Sequence, residues 1–88
     1  MVWTISYSDI ARKQLKKFNL SIAKNLVDYM DKRISILQDP KQIGKNLSHN
    51  KSELWRYRVG NYRVICNIES KIMNILVLEI GHRRDIYK

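Results

Sequence analysis

A single cysteine, a single proline and three glycines are all that this 88-residue chain carries of those types. Cys66 has no partner for an internal disulfide and no second thiol for a zinc site. No glycine-rich loop of the kind that cradles phosphates is present. No paired carboxylates stand at acid/base spacing, and no His/Cys/Asp cluster has the spacing of a metal centre, so no metal or other cofactor is expected. The longest strictly apolar run, Ile75-Leu76-Val77-Leu78, falls far short of the ~20 residues a spanning helix needs. Met1-Val2-Trp3-Thr4 lacks the charged-then-apolar order of a signal peptide. A cytoplasmic chain with no membrane partner is the expectation.

Acidic residues are also few: 8 against 17 Lys plus Arg, for a net charge of +9. The excess is even. Residues 1–44 hold 8 basic and 4 acidic residues (+4), and residues 45–88 hold 9 and 4 (+5). A basic tail on a neutral domain is thereby excluded. A folded domain this basic repels itself, which points to a polyanionic partner. Hydrophobic residues at 44% exclude disorder as the default state. The length allows one small domain, residues 1–88, with one compact core.

What is there reads in two halves. Residues 2–7 mix β-branched and aromatic side chains as a strand does. Ser8 or Asp9 can cap a helix whose inner face is Ala11, Leu15 and Phe18. Ser21 can cap a second helix with the stripe Ile22, Leu26, Tyr29 or Met30, Ile34 and Leu37, which ends before Asp39-Pro40. Together they make a helical hairpin. Residues 41–53 are polar and read as a loop. From Leu54 the period changes: Leu54 to Val59 and Tyr62 to Ile68 alternate, with Gly60-Asn61 as a two-residue hairpin turn. Ile72 to Ile80 is a nearly continuous apolar strand, ended by Gly81. The order β-α-α-β-β-β predicts an α+β domain, with both helices on one face of a four-stranded, mainly antiparallel sheet.

The turn fixes the hairpin register. It pairs Val59 with Tyr62, Arg58 with Arg63, Tyr57 with Val64 and Arg56 with Ile65. Trp55, Tyr57, Val59, Tyr62, Val64, Cys66 and Ile68 then face the core, where Cys66 is an inert packing residue. Arg56, Arg58 and Arg63 share the other face. Like charges directly opposed destabilise a sheet, so a bound phosphate, which guanidinium groups hold bidentately, is the favoured explanation. The alternative is two splayed arginines with Glu53 or Glu69 as partner. A second concentration is Gly81-His82-Arg83-Arg84-Asp85-Ile86-Tyr87-Lys88. There, arginines can hold phosphate and Tyr87 can stack on a base or fold back over the core. His82 reads chiefly as an exposed or satisfied histidine, and His49, in the polar loop, has no assigned chemistry.

The segment Leu54-Trp55-Arg56-Tyr57-Arg58-Val59-Gly60-Asn61-Tyr62-Arg63-Val64-Ile65, followed by Gly81-His82-Arg83-Arg84-Asp85-Ile86-Tyr87, resembles the RelE/ParE toxin superfamily of bacterial toxin–antitoxin systems. The resemblance implies a ribosome-dependent mRNA endonuclease that inhibits translation, acts without metal and is held by an acidic RelB-like antitoxin in a hetero-oligomer. It implies attack of a ribose 2′-OH on the adjacent phosphate. Carried onto this chain, the catalytic residues are Arg58, Arg63, Arg83 and Tyr87, with Arg56, His82 and Arg84 as substrate-binding residues. Arg63 takes the phosphorane charge, Arg83 the leaving side, and Tyr87 stacks. The family pattern has lysines where this chain has Arg56 and Arg58. Arginine, with a pKa above about 12, is a poor base. Either Arg58 acts by electrostatics, or His82 or the ribosome supplies the acceptor. The rival within the superfamily is a ParE-like gyrase poison without a nuclease site.

Overall fold

The computed structural model describes residues 2–47 and 53–82. Strand β1 (Thr4–Tyr7) runs into helices α1 (Asp9–Lys17) and α2 (Leu20–Asp28), and α2 continues as a π-helical segment, Tyr29–Ile34. A short 3-10 turn (Pro40–Gln42) precedes β2 (Lys45–Asn46), then β3 (Leu54–Val59), β4 (Tyr62–Glu69), a second 3-10 turn (Ser70–Ile72) and β5 (Asn74–His82). The sheet order is β1-β5-β4-β3-β2, with β1 parallel to β5 and every other pair antiparallel. The α+β class and the mainly antiparallel sheet are as expected. The strand count is not: Lys45–Asn46, expected in a loop, pairs with Trp55 and Arg56 and makes a fifth strand.

Both helices begin at a side-chain cap. The Ser8 hydroxyl accepts from the Ala11 amide at 3.0 Å. For α2 the cap is Asn19 and not Ser21: Asn19 Oδ1 accepts from the Ile22 amide at 2.9 Å. Either side chain is chemically able to cap, but the chain turns helical at Leu20, so Ser21 already lies inside the first turn. The apolar stripe of α2 repeats every fourth residue: Ile22, Leu26, Met30, Ile34. An α-helix turns once in 3.6 residues and would rotate such a stripe off the sheet. The more slowly wound i→i+5 segment, marked by the Ser35 amide donating to the Met30 carbonyl at 2.9 Å, brings it back. Leu26, Met30 and Ile34 are accordingly buried against Tyr57, Val64, Ile68, Ile75 and Val77.

The long strand departs from regularity once. Its pairing with β4 jumps from Ile65↔Glu79 to Cys66↔Val77, leaving Leu78 as the extra residue of a β-bulge. The bulge lets Ile75 and Val77 point inward on one side of it and Ile80 on the other. Ser8 docks here: its hydroxyl donates to the Leu78 carbonyl at 2.7 Å, and its amide to the Val77 carbonyl at 2.9 Å. Beyond the end of β1, Gln14 of α1 takes over that edge, accepting from the Ile80 amide at 2.6 Å. The strand also runs through Gly81 to His82, two residues past the expected end, and begins at Asn74, leaving Ile72 exposed in the turn.

Candidate nucleic-acid interface

The β3–β4 turn sets the register of everything on the open face. Gly60 has φ +59°, and Asn61 keeps a negative φ, which is the type II′ pattern with glycine first. The resulting pairs are Val59↔Tyr62, Arg58↔Arg63, Tyr57↔Val64 and Arg56↔Ile65, the register expected from the sequence. Tyr57 and Val64 are fully buried on the helix side. Opposed residues in a ladder share a face. The helix-free face therefore carries one lane of Arg58, Arg63 and Gly81, and a neighbouring lane of Lys45, Arg56, Ile65 and Glu79.

Charge on this face is mixed: Glu79 ends the lane of Lys45, Arg56 and Ile65, while Arg58 and Arg63 share theirs with Gly81. At the far end Glu69 Oε1 accepts from Asn74 Nδ2 at 2.6 Å, and Asn74 Oδ1 accepts from the Ser6 hydroxyl at 2.8 Å. A lane of half-buried Leu54, Asn67 and Leu76 lies between that polar end and the lane of Arg56. Arg58 is exposed and Arg56 half-buried. Arg63, at 7% exposure, is drawn into the sheet beside Gly81, which offers no side chain to crowd it. Glu53, one of the acids considered as a partner, lies at the Leu54 end of the hairpin and not in the Arg58–Arg63 lane; its carbonyl accepts from the Ile68 amide at 2.8 Å.

A family model described as the ParE toxin of type II toxin–antitoxin system, parDE, matches residues 5–87. The chain belongs to this toxin family. Toxin RelG of Mycobacterium tuberculosis is 27% identical to the toxin over 88 residues, covering 100% of this chain and 99% of RelG. The toxin–antitoxin complex RelBE2 of the same organism aligns with TM-score 0.82 at 25% identity, over 97% of this chain and 95% of that one. The RelE–RelB complex of Pyrococcus horikoshii aligns with TM-score 0.73 at 20% identity, over 97% and 99%, a likeness of fold. The RelE/ParE resemblance carried by Leu54–Ile65 and Gly81–Tyr87 is thus met.

The fold brings three of the expected site residues of the toxin together: Arg56, Arg58 and Arg63. It places His82 elsewhere. His82 pairs with Tyr62 on the helix side, with ring centroids 5.4 Å apart in an edge contact, and Phe18 also meets Tyr62 edge-on at 5.1 Å. A histidine in that aromatic row does not stand beside the arginines. Arg83, Arg84 and Tyr87 lie outside the described residues, as does His49. Cys66 is fully buried, and desolvation pushes its thiol well above the ordinary value of 9.0, as expected of a packing residue. Among the described residues no three His, Cys, Asp or Glu side chains converge, and no helix is long and apolar enough to cross a membrane.

One cation of the interface was missed by sequence reasoning. Lys45 lies in a polar stretch that reads as a loop, yet it stands opposite Arg56. Two aromatic donors on β3 bring it there. The Tyr57 hydroxyl donates to the Pro40 carbonyl at 2.6 Å, and Trp55 Nε1 donates to the Ile43 carbonyl at 2.6 Å. Gly44, at φ +87°, then presses its backbone onto β3, so close that a Cβ there would stand 2.3 Å from the Arg56 carbonyl oxygen. A two-residue strand has no periodicity to detect. The available signal was the pairing of Gly44 with two downstream aromatic hydrogen-bond donors.

Proposed function

We propose that this toxin is a ribosome-dependent mRNA endonuclease. The observation that carries the reading is the Arg58–Arg63 pair, two like charges directly opposed with Arg56 in the adjoining lane. Folding alone disfavours such a pair, whereas an RNA phosphate between the guanidinium groups repays it. In the proposed reaction the ribose 2′ oxygen bonds to the adjacent phosphorus, the bond from phosphorus to the 5′ oxygen breaks, and the products are a 2′,3′-cyclic phosphate and a 5′ hydroxyl. Arg63 holds the charge that builds on the non-bridging oxygens. Arg58 adds to that stabilisation, and Arg56 anchors the backbone. Arg83 holds the leaving 5′ oxygen, which takes its proton from water, Tyr87 stacks on the nucleotide, and Arg84 adds a phosphate contact. Because arginine does not accept a proton near neutral pH, removal of the 2′ proton is assigned to the ribosome-bound complex. The same reading gives the chain a cytoplasmic site of action and an acidic RelB-like antitoxin as partner in a hetero-oligomer.

The match to the ParE family model favours a second reading, a gyrase poison that uses the basic face to bind and cuts nothing itself. Incubating the toxin with programmed ribosomes, naked mRNA, or gyrase with plasmid separates the two. The proposal expects cleavage of ribosome-bound mRNA and no accumulation of cut DNA. Intact mRNA on ribosomes together with gyrase trapped on broken DNA would reverse the assignment.

A further inference from the structure

We infer that Lys45 is a further phosphate-binding residue of the interface, carrying the cationic track from β3 onto the sheet edge, where it contacts the backbone of single-stranded RNA. The inference rests on the RNA reading above and deepens it. Lys45, Gly44, Ile43, Tyr29, Arg56 and Arg58 line an open groove of about 260 Å³ at the edge of β3. Lys45 is exposed and directly opposite Arg56, so the two side chains rise from the same face one strand apart, about 4.8 Å. This is a second like-charge pair across a ladder, one lane from Arg58 and Arg63. Local propensity does not call for it. β2 is only two residues long, and it is fixed to β3 by Tyr57, Trp55 and the close approach of Gly44. Three specific contacts thus hold this lysine on the same face as the arginines of β3. Lysine suits this outer position, because a flexible ammonium acts as a point charge on a phosphate that moves more freely than one held in the arginine fork.

The test is the salt dependence of binding of the full chain to a single-stranded RNA oligonucleotide, measured by fluorescence anisotropy. Each phosphate contact contributes about 0.7 to the slope of log K against log salt for single strands. Lys45→Ala is expected to lower the slope by about 0.7, so that a fourfold rise in salt costs it about 2.6-fold less affinity than wild type. Lys45→Arg should keep the wild-type slope, and Lys13→Ala, on the outer face of α1, should leave it unchanged. A wild-type slope in Lys45→Ala, with Arg58→Ala flattened, would overturn the role of Lys45 and leave the RNA reading standing. Equal flattening by Lys13→Ala would also overturn it, by reducing the effect to diffuse charge. A wild-type chain with no salt-dependent binding to the oligonucleotide would overturn this inference, while cleavage of mRNA on programmed ribosomes decides the RNA reading separately.

Discussion

At Gly44 a single added methyl group does more local harm than at Gly60. Its φ of +87° strains any other residue, and the added Cβ would meet backbone 2.3 Å away, which cannot swing aside. Gly44→Ala is expected to cost about 1–3 kcal/mol in denaturant unfolding and to loosen β2 from β3. Gly60→Ala, at φ +59° with open space around its Cβ, should cost less. An equal loss at both positions would contradict the close-approach account. Three buried groups make the other residue-scale prediction. Desolvation first, with lesser repulsion from neighbouring acids, raises the Tyr7 and Tyr57 hydroxyls far above 10.0, and desolvation alone raises Cys66 far above 9.0. The folded state then keeps protons that the unfolded chain gives up. Their contribution is complete below pH about 9 and is lost as pH rises past the unfolded values toward the folded ones. The urea midpoint should fall between pH 9 and 11, and Cys66→Ala should lessen the fall; a midpoint flat across that range would contradict the burial of these groups.

At the scale of elements, the junction of β1, α1 and the bulge hangs on Ser8, whose one hydroxyl caps α1 and donates to Leu78. Ser8→Ala removes both bonds and should cost about 1–2 kcal/mol, or roughly 5–15 °C in thermal midpoint. A shift under 2 °C would mean that water replaces the hydroxyl at no cost. What the sequence discloses at this scale differs by element. The β3–β4 hairpin was fully legible, since a two-residue turn between two alternating runs permits one register. The bulge was not, because Ile75-Leu76-Val77-Leu78 is apolar at every residue and alternation is what reveals a slip. The cap of α2 went to Asn19 because Asn19-Leu20-Ser21 offers two capping side chains and only the backbone decides between them. β2 was invisible because its pairing is imposed by Trp55 and Tyr57 from ten or more residues downstream. The arginine half of the site was therefore readable and its lysine edge was not.

For the molecule as a whole, a net charge of +9 on a chain of 88 residues sets the terms on which partners approach. An acidic antitoxin should associate at a rate that falls steeply as salt rises from 50 to 500 mM, while dissociation changes little. Stopped-flow mixing with an acidic RelB-like antitoxin measures both rates, and an association rate indifferent to salt would contradict electrostatic capture. The central claim is that the cations of the open face stabilise a phosphoryl transition state, and Arg63 is where it is most exposed to test. Single-turnover cleavage of ribosome-bound mRNA should fall roughly 100-fold or more in Arg63→Ala, a loss of about 3 kcal/mol of transition-state stabilisation. Arg63→Lys, which keeps the charge without the fork, should fall between the two, with circular dichroism showing all three folded. Cleavage at the wild-type rate by a folded Arg63→Ala chain would contradict the account.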